Sequence, residues 1–290
     1  MSDYARVFYR DRTGSKACVA YLRQGKGRLV ILVHGVGMQA SVWKDQIDAL
    51  SRHYDVIALD MLGHGESSLP PGDAGLNDYS DAVLALINHL GGEKAHLVGH
   101  SMGALVALEF ALSHPERLIS VTGMNAVFCR SEQQRAMISK RLSALDSTVQ
   151  VDWNETIARW FGDPVPEHWA NAAGRIEELL RASDPIGYAR TYRIFATADE
   201  AHRDRLSSLQ VPALFITGAD DPNSLPQMSY DMASLTQNGI VEIIPNERHM
   251  MSVTAPELIN ARLLSFFCQA EKAQVKDFIQ SKSDCSGSAA

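Results

Sequence analysis

Eight short apolar runs punctuate the chain, and between them the spacing of apolar residues changes to that of helices. Leu29-Val30-Ile31-Leu32-Val33 is continuous, as in a strand buried on both faces of a parallel sheet. Val56 to Leu59, Ala95 to Val98, Leu118 to Val121, Ala213 to Ile216 and Ile240 to Ile244 repeat that pattern. Two earlier runs, Arg6 to Tyr9 and Ala17 to Leu22, are rich in Val and aromatic residues and also predict strands.

Helical faces fill the intervals. Trp43, Ile47 and Leu50 share one face, as do Val83, Ile87 and Leu90, and then Leu105, Leu108 and Leu112. A last helix carrying Ile259, Leu263, Phe266 and Phe267 is preceded by Thr254-Ala255-Pro256-Glu257, which reads as a capping box. Alternating strand and helix imply an α/β fold: a mostly parallel eight-stranded sheet covered by helices on both faces.

The alternation breaks once. From about Phe128 to Leu209 only helical faces occur, such as Ile138/Leu142/Leu145/Val149 and Ile176/Leu179/Leu180. A segment of about 80 residues is too long for a structureless loop in a compact domain, so a helical cap over 128–209 is expected. The sheet domain is then made in two parts, 1–127 and 210–270. From Glu271 the chain turns polar and small, and 271–290 is expected to be a disordered tail.

Composition narrows the function. Hydrophobic residues make up 46% and charged residues 21% of 290, enough for one large core. The net charge of -7 without a basic cluster argues against nucleic acid. No apolar stretch approaches the roughly 18 residues of a membrane span, and Met1 to Arg6 has no signal-like apolar region. Cys18, Cys129, Cys268 and Cys285 are scattered without a CxxC pair, which suits packing thiols in a reducing cytoplasm. A small-molecule substrate is the expected partner, and a homo-oligomer is compatible with the chain.

Gly99-His100-Ser101-Met102-Gly103 lies between a buried strand and an amphipathic helix. This is G-x-S-x-G in the setting a nucleophile elbow needs, with the serine at a helix N-terminus that favours an anion. A serine hydroxyl attacks only when a base takes its proton. His249 follows the last strand, in a loop that opens onto the final helix.

At these residues the chain resembles the α/β-hydrolase family, in its capped esterase- and lactonase-like branch, whose triad runs Ser, acid, His along the chain. The resemblance implies Ser101 as nucleophile and His249 as base. The acid is implied by Gly218-Ala219-Asp220-Asp221, similar to the family's G-x-x-D turn, where counting from the glycine selects Asp221 and leaves Asp220 as the rival. It also implies Met102 and Val36 as the backbone donors of an oxyanion hole, Val36 from His34-Gly35-Val36-Gly37. Asp60-Met61-Leu62-Gly63-His64-Gly65 is a further turn common in the family. The matching motifs span roughly residues 5 to 268.

The same loop, Gly35-Val36-Gly37-Met38-Gln39-Ala40, also fits a dinucleotide fingerprint. An oxyanion loop accounts for it without a cofactor, and no cofactor is expected. His34, His64 and His100 sit inside backbone motifs, where they orient loops, and no histidine spacing suits a metal. Candidate substrate contacts are His34 and Gly35 from the core, and Trp160, Tyr188 and Tyr192 from the cap. The expected reaction is hydrolysis of a small, fairly apolar ester or lactone through an acyl-enzyme. The alternatives are hydrolysis of a carbon–carbon bond in a ring-cleavage product, acyl transfer or perhydrolysis, and, from another class, a small-molecule receptor on the same fold.

Overall fold

The computed structural model of the protein describes residues 4–92, 94–146 and 152–287. In chain order the core begins with strands β1 (Ala5–Arg10), β2 (Lys16–Gly25) and β3 (Leu29–Val33), then α1 (Lys44–Leu50), β4 (Asp55–Leu59) and α2 (Leu76–His89). It continues with β5 (Ala95–His100), α3 (Met102–Ser113) and β6 (Leu118–Met124). The helices α4 (Glu132–Asp146), α5 (Trp153–Phe161), α6 (Ala170–Arg181) and α7 (Pro185–Thr197) follow. The core resumes with β7 (Ala213–Gly218), α8 (Pro226–Leu235), β8 (Gly239–Ile244), α9 (Met251–Thr254) and α10 (Pro256–Gly287).

All eight strands form one sheet in the order β1-β2-β4-β3-β5-β6-β7-β8. Only β2 runs against its neighbours; the remaining pairings are parallel. The continuous apolar run in β3 has a direct cause, since its side chains alternate between two cores. Ile31 and Val33 pack in the cluster with Leu86 and Phe110, from α2 and α3, while Val30 and Leu32 pack with Trp43 and Phe267, beneath α1 and α10. The chain leaves β3 toward β4 on one side and β5 on the other, and this reversal of order opens a crevice at the carboxyl ends of the strands.

The helices α4 to α7 lie between β6 and β7, where the strand-free stretch predicts a cap. They are held down by hydrogen bonds to the core: Tyr79 and Thr191 share a hydroxyl pair at 2.7 Å, and Arg190 donates to the Pro70 carbonyl at 2.6 Å. Val149, the last residue of the predicted face on α4, lies outside the described residues.

Two local expectations are corrected. Thr254 does not cap α10: its hydroxyl bonds the Glu247 carboxylate and the Met250 carbonyl, because the residue ends α9. The predicted apolar face of α10 is nevertheless buried at Ile259, Leu263, Phe266 and Phe267. The tail does not become irregular at Glu271, since α10 continues through it to Gly287. Glu, Lys, Ala and Gln after residue 270 are polar but strong helix formers, so polarity alone is a poor sign of disorder there. Glu271 also lies 3.2 Å from His96 Nε2 and 3.7 Å from Arg28. The end of the predicted tail, 288–290, is outside the described residues.

Candidate active site

Strand β5 ends at His100 and α3 begins at Met102, so Ser101 alone makes the turn. It does so at φ 55° and ψ −115°, a conformation that costs a non-glycine residue roughly 1–3 kcal/mol. The flanking glycines make the turn possible by close approach. A Cβ on Gly99 would lie 2.0 Å from the Gly103 carbonyl oxygen, and one on Gly103 would lie 2.2 Å from that of Val33. The Ser101 amide donates to the Met124 carbonyl at 2.9 Å, tying the elbow to β6.

The turn after β7 and the loop after β8 meet beside it. His249 Nδ1 and Asp221 Oδ2 are 2.8 Å apart, and both side chains are essentially without solvent access. Asp221 also accepts from Asn125 Nδ2 at 2.7 Å and from the Asn223 amide at 2.8 Å. Burial pushes its pKa up, but the charge and hydrogen bond of His249 and the bonds from Asn125 and Asn223 outweigh this and hold it below the usual carboxylate range. The ionised Asp221 therefore fixes the imidazole with its proton on Nδ1 and leaves Nε2 free to accept one. Asp220 is exposed and reaches the same loop only through its amide, which donates to the Glu247 carbonyl at 2.9 Å.

A second imidazole supports the first. His100 is buried, and desolvation followed by the charge of His249 pushes its pKa down to about 3. Its Nε2 lies 2.8 Å from the His249 carbonyl, to which the neutral ring donates, with ring centroids 4.9 Å apart. Trp160 covers the other side of His249 at 5.4 Å between centroids.

The amides of Val36 and Met102 donate to no acceptor among the described residues. Met102 opens α3, so its N–H is one of the four left over at any helix start. The Val36 loop is held from below. His34 takes the Met61 amide on Nε2 at 2.9 Å and gives its Nδ1 proton to the Gly35 carbonyl, while His64 accepts from the Gly37 amide at 2.9 Å. Burial pushes the pKa of His34 well down and that of His64 to about 4, so both work as neutral rings. His34 is thus spent on the loop and lies outside the cavity, which corrects its assignment as a substrate contact.

That cavity, about 200 Å³, is lined by Ser101, His249 and Val36 below and by Trp160, Tyr188 and Tyr192 above. Gly35, as expected, is part of its floor. Met38, Met137, Ile138 and Phe195 give apolar walls, but Arg130, Arg141 and Arg159 also face it. Sequence reasoning missed these arginines and Asn125. The arginines carried no signal, because on a helix the sequence neighbour of an apolar position points away from that position's face. No group of three or more side chains suited to a metal occurs among the described residues.

With this geometry in hand, the relationship to known proteins is unambiguous. Residues 28–256 match the family model described as alpha/beta hydrolase fold, and the chain belongs to that family. It is 38% identical over 240 residues to an (E)-2-((N-methylformamido)methylene)succinate hydrolase of Acinetobacter baylyi, covering 83% of this chain and 90% of the relative. It is 28% identical over 260 residues to a 3-oxoadipate enol-lactonase of the same organism, covering 89% and 95%. Among solved structures, a hydrolase from Pseudomonas aeruginosa superposes with a TM-score of 0.80 at 27% identity, over 91% of this chain and 98% of that one. The protein is an α/β-family hydrolase. No helix among the described residues is long and apolar enough to cross a membrane.

Proposed function

We propose that the protein hydrolyses a small ester or lactone through an acyl-enzyme on Ser101. The observation that carries this reading is the buried His249–Asp221 pair opening, with the strained Ser101 turn, into one closed-in cavity. In the proposed cycle Ser101 Oγ attacks the carbonyl carbon while His249 Nε2 takes its proton. Asp221 stabilises the imidazolium, and the amides of Val36 and Met102 receive the negative charge that develops on the carbonyl oxygen. His249 then gives the proton to the departing alkoxide or enolate, and water, activated by the same imidazole, releases the acid. The cycle needs no cofactor, and the only partner it calls for is a small molecule.

The substrates named for the two Acinetobacter relatives support the scale of this reading, since an enol-lactone and a substituted methylenesuccinate are both small carbonyl compounds. A second reading follows from the more similar relative: the attacked carbonyl belongs to an N-acylated enamine rather than an ester. The test is a panel of methyl esters, lactones and N-formyl enamines with the wild type and Ser101→Ala. Turnover of esters or lactones by the wild type alone supports the first reading, and turnover of enamines alone supports the second. Wild-type inertness toward all three, in folded protein, overturns both.

A further inference from the structure

The roof of the cavity carries three cations, of which Arg130 is paired with a buried acid, Arg141 only distantly with an exposed one, and Arg159 with none among the described residues. Arg130, Arg141 and Arg159 line it, and no Asp or Glu is among the lining residues, in a chain whose net charge is -7. The three guanidinium groups are unequally supplied with partners. Arg130, 2% exposed, donates Nη1 to the Phe195 carbonyl at 2.9 Å and faces Asp199 at 3.4 Å, yet its buried Nη2 has no partner. Arg141 reaches the Tyr192 hydroxyl at 3.4 Å and comes within 3.9 Å of Glu155, a largely exposed carboxylate. Among the described residues Arg159 meets only the Thr156 hydroxyl, at 3.4 Å, and its buried Nε finds no acceptor. Burial, then repulsion from Arg141, pushes its pKa down to about 10, which still leaves it charged at neutral pH.

A buried donor without an acceptor costs about 1–3 kcal/mol, and more when charged. Two such donors beside an active-site cavity are therefore expected to meet an acceptor that arrives with the ligand. Guanidinium presents a planar fork that matches a carboxylate in two parallel bonds, and such pairs strengthen where water is excluded.

We propose that Arg159 and Arg141, backed by Arg130 Nη2, bind a carboxylate of the substrate, so that the enzyme acts on small anionic carbonyl compounds. This deepens the hydrolase reading and rests on it for the identity of the reacting carbonyl. The apolar walls suit a short carbon chain, which ends in a negative charge held under the cap. Phosphate oxygens match the same guanidinium fork, so the test sets inorganic phosphate against succinate.

The test compares monomethyl succinate with methyl butyrate, matched in length and differing in charge, with hydrolysis followed by proton release. Wild type is expected to prefer the anionic ester. Arg159→Gln and Arg141→Gln are each expected to lower kcat/KM for it by roughly 10- to 100-fold, chiefly through KM. Turnover of methyl butyrate is expected to change by less than about threefold, and Arg159→Lys to restore part of the loss. Succinate is expected to inhibit the wild type competitively and Arg159→Gln far more weakly, whereas inorganic phosphate is not. An equal fall on both esters, a wild type indifferent to charge, or inhibition by phosphate and not succinate overturns the proposal. Should the wild type turn over neither ester, the ester reading fails separately. Succinate binding to the wild type and Arg159→Gln, measured by calorimetry, then decides the carboxylate site by itself.

Discussion

The floor and the roof of the cavity are built on opposite rules. Below, most side-chain polar groups are matched to one another, Asn125 Oδ1 and the two free amides of Val36 and Met102 apart: Asp221 takes three hydrogen bonds, His100 holds the His249 loop, and His34 and His64 hold the Val36 loop. Above, on α4 and α5, the Arg141 and Arg159 guanidinium groups have long or missing partners. A satisfied network is rigid, and chemistry needs donors and acceptors held before the substrate arrives. An unsatisfied cation has its partner still to come. On the proposed reading, bond breaking falls to the sheet loops and recognition to the cap.

The comparison is broken most severely by failure at the floor. Asp221→Asn keeps the side-chain shape but removes the charge that fixes the imidazole proton. Turnover is expected to fall by roughly three to four orders of magnitude, against less than about threefold for Asp220→Asn. Steady-state rates with matched thermal melts decide it, and the reverse order would move the acid to Asp220. Next in size is Asn125→Ala, which withdraws one of the three bonds to Asp221. A hydrogen bond to a charged group is worth about 1.5–3 kcal/mol, so kcat is expected to drop about tenfold or more with KM unchanged.

Neutral buried imidazoles, two in the floor and His96 packed on Phe267, also predict an acid weakness. His64 and His96 are held at about 4 and His100 at about 3, chiefly by burial, whereas in the unfolded chain each titrates near 6.5. Below that value the unfolded chain binds more protons, so the stability these neutral rings provide is present above pH ~6.5 and is lost as pH falls toward 4. Asp60, raised to about 6, and Asp81 and Glu247, also raised, all chiefly by burial, act in the opposite sense, while His34, pushed well down by burial, adds to the histidines. A melting temperature that falls progressively between about pH 6.5 and 4 is expected, and a flat profile would contradict the neutral, buried assignment. The smallest effect belongs to the roof. Tyr192→Phe removes a weak partner of Arg141, and KM is expected to shift by less than about threefold, with kcat unchanged.

The same division explains what could be read from the chain. Strands such as Leu29–Val33 announce themselves because both faces are buried, and the elbow because Gly99 and Gly103 are the residues its backbone contacts tolerate. The family resemblance placed Asp221 and His249 in the turns after the last two strands, and their side chains meet there at 2.8 Å. Asn125 was missed, because its role as a donor to Asp221 depends on a contact across 96 residues. The cap was legible as an interruption but not as a surface. Helical spacing says which residues share a face, not which face meets a cavity, so Arg159 was missed; His34 was placed in the site from its loop motif, which does not show that its ring is used up beneath the loop. The helix through Glu271 was missed because residues that suit solvent also suit helices.

The central claim is that Ser101, activated from the floor, is the group that attacks. It is tested most directly by a fluorophosphonate, which forms a stable tetrahedral adduct only with an activated nucleophile. Intact mass is expected to show one adduct per chain, peptide mapping to place it on Ser101, and His249→Ala to slow labelling by orders of magnitude. Folded wild-type protein that stays unlabelled, or that carries the adduct on another residue, would contradict the account.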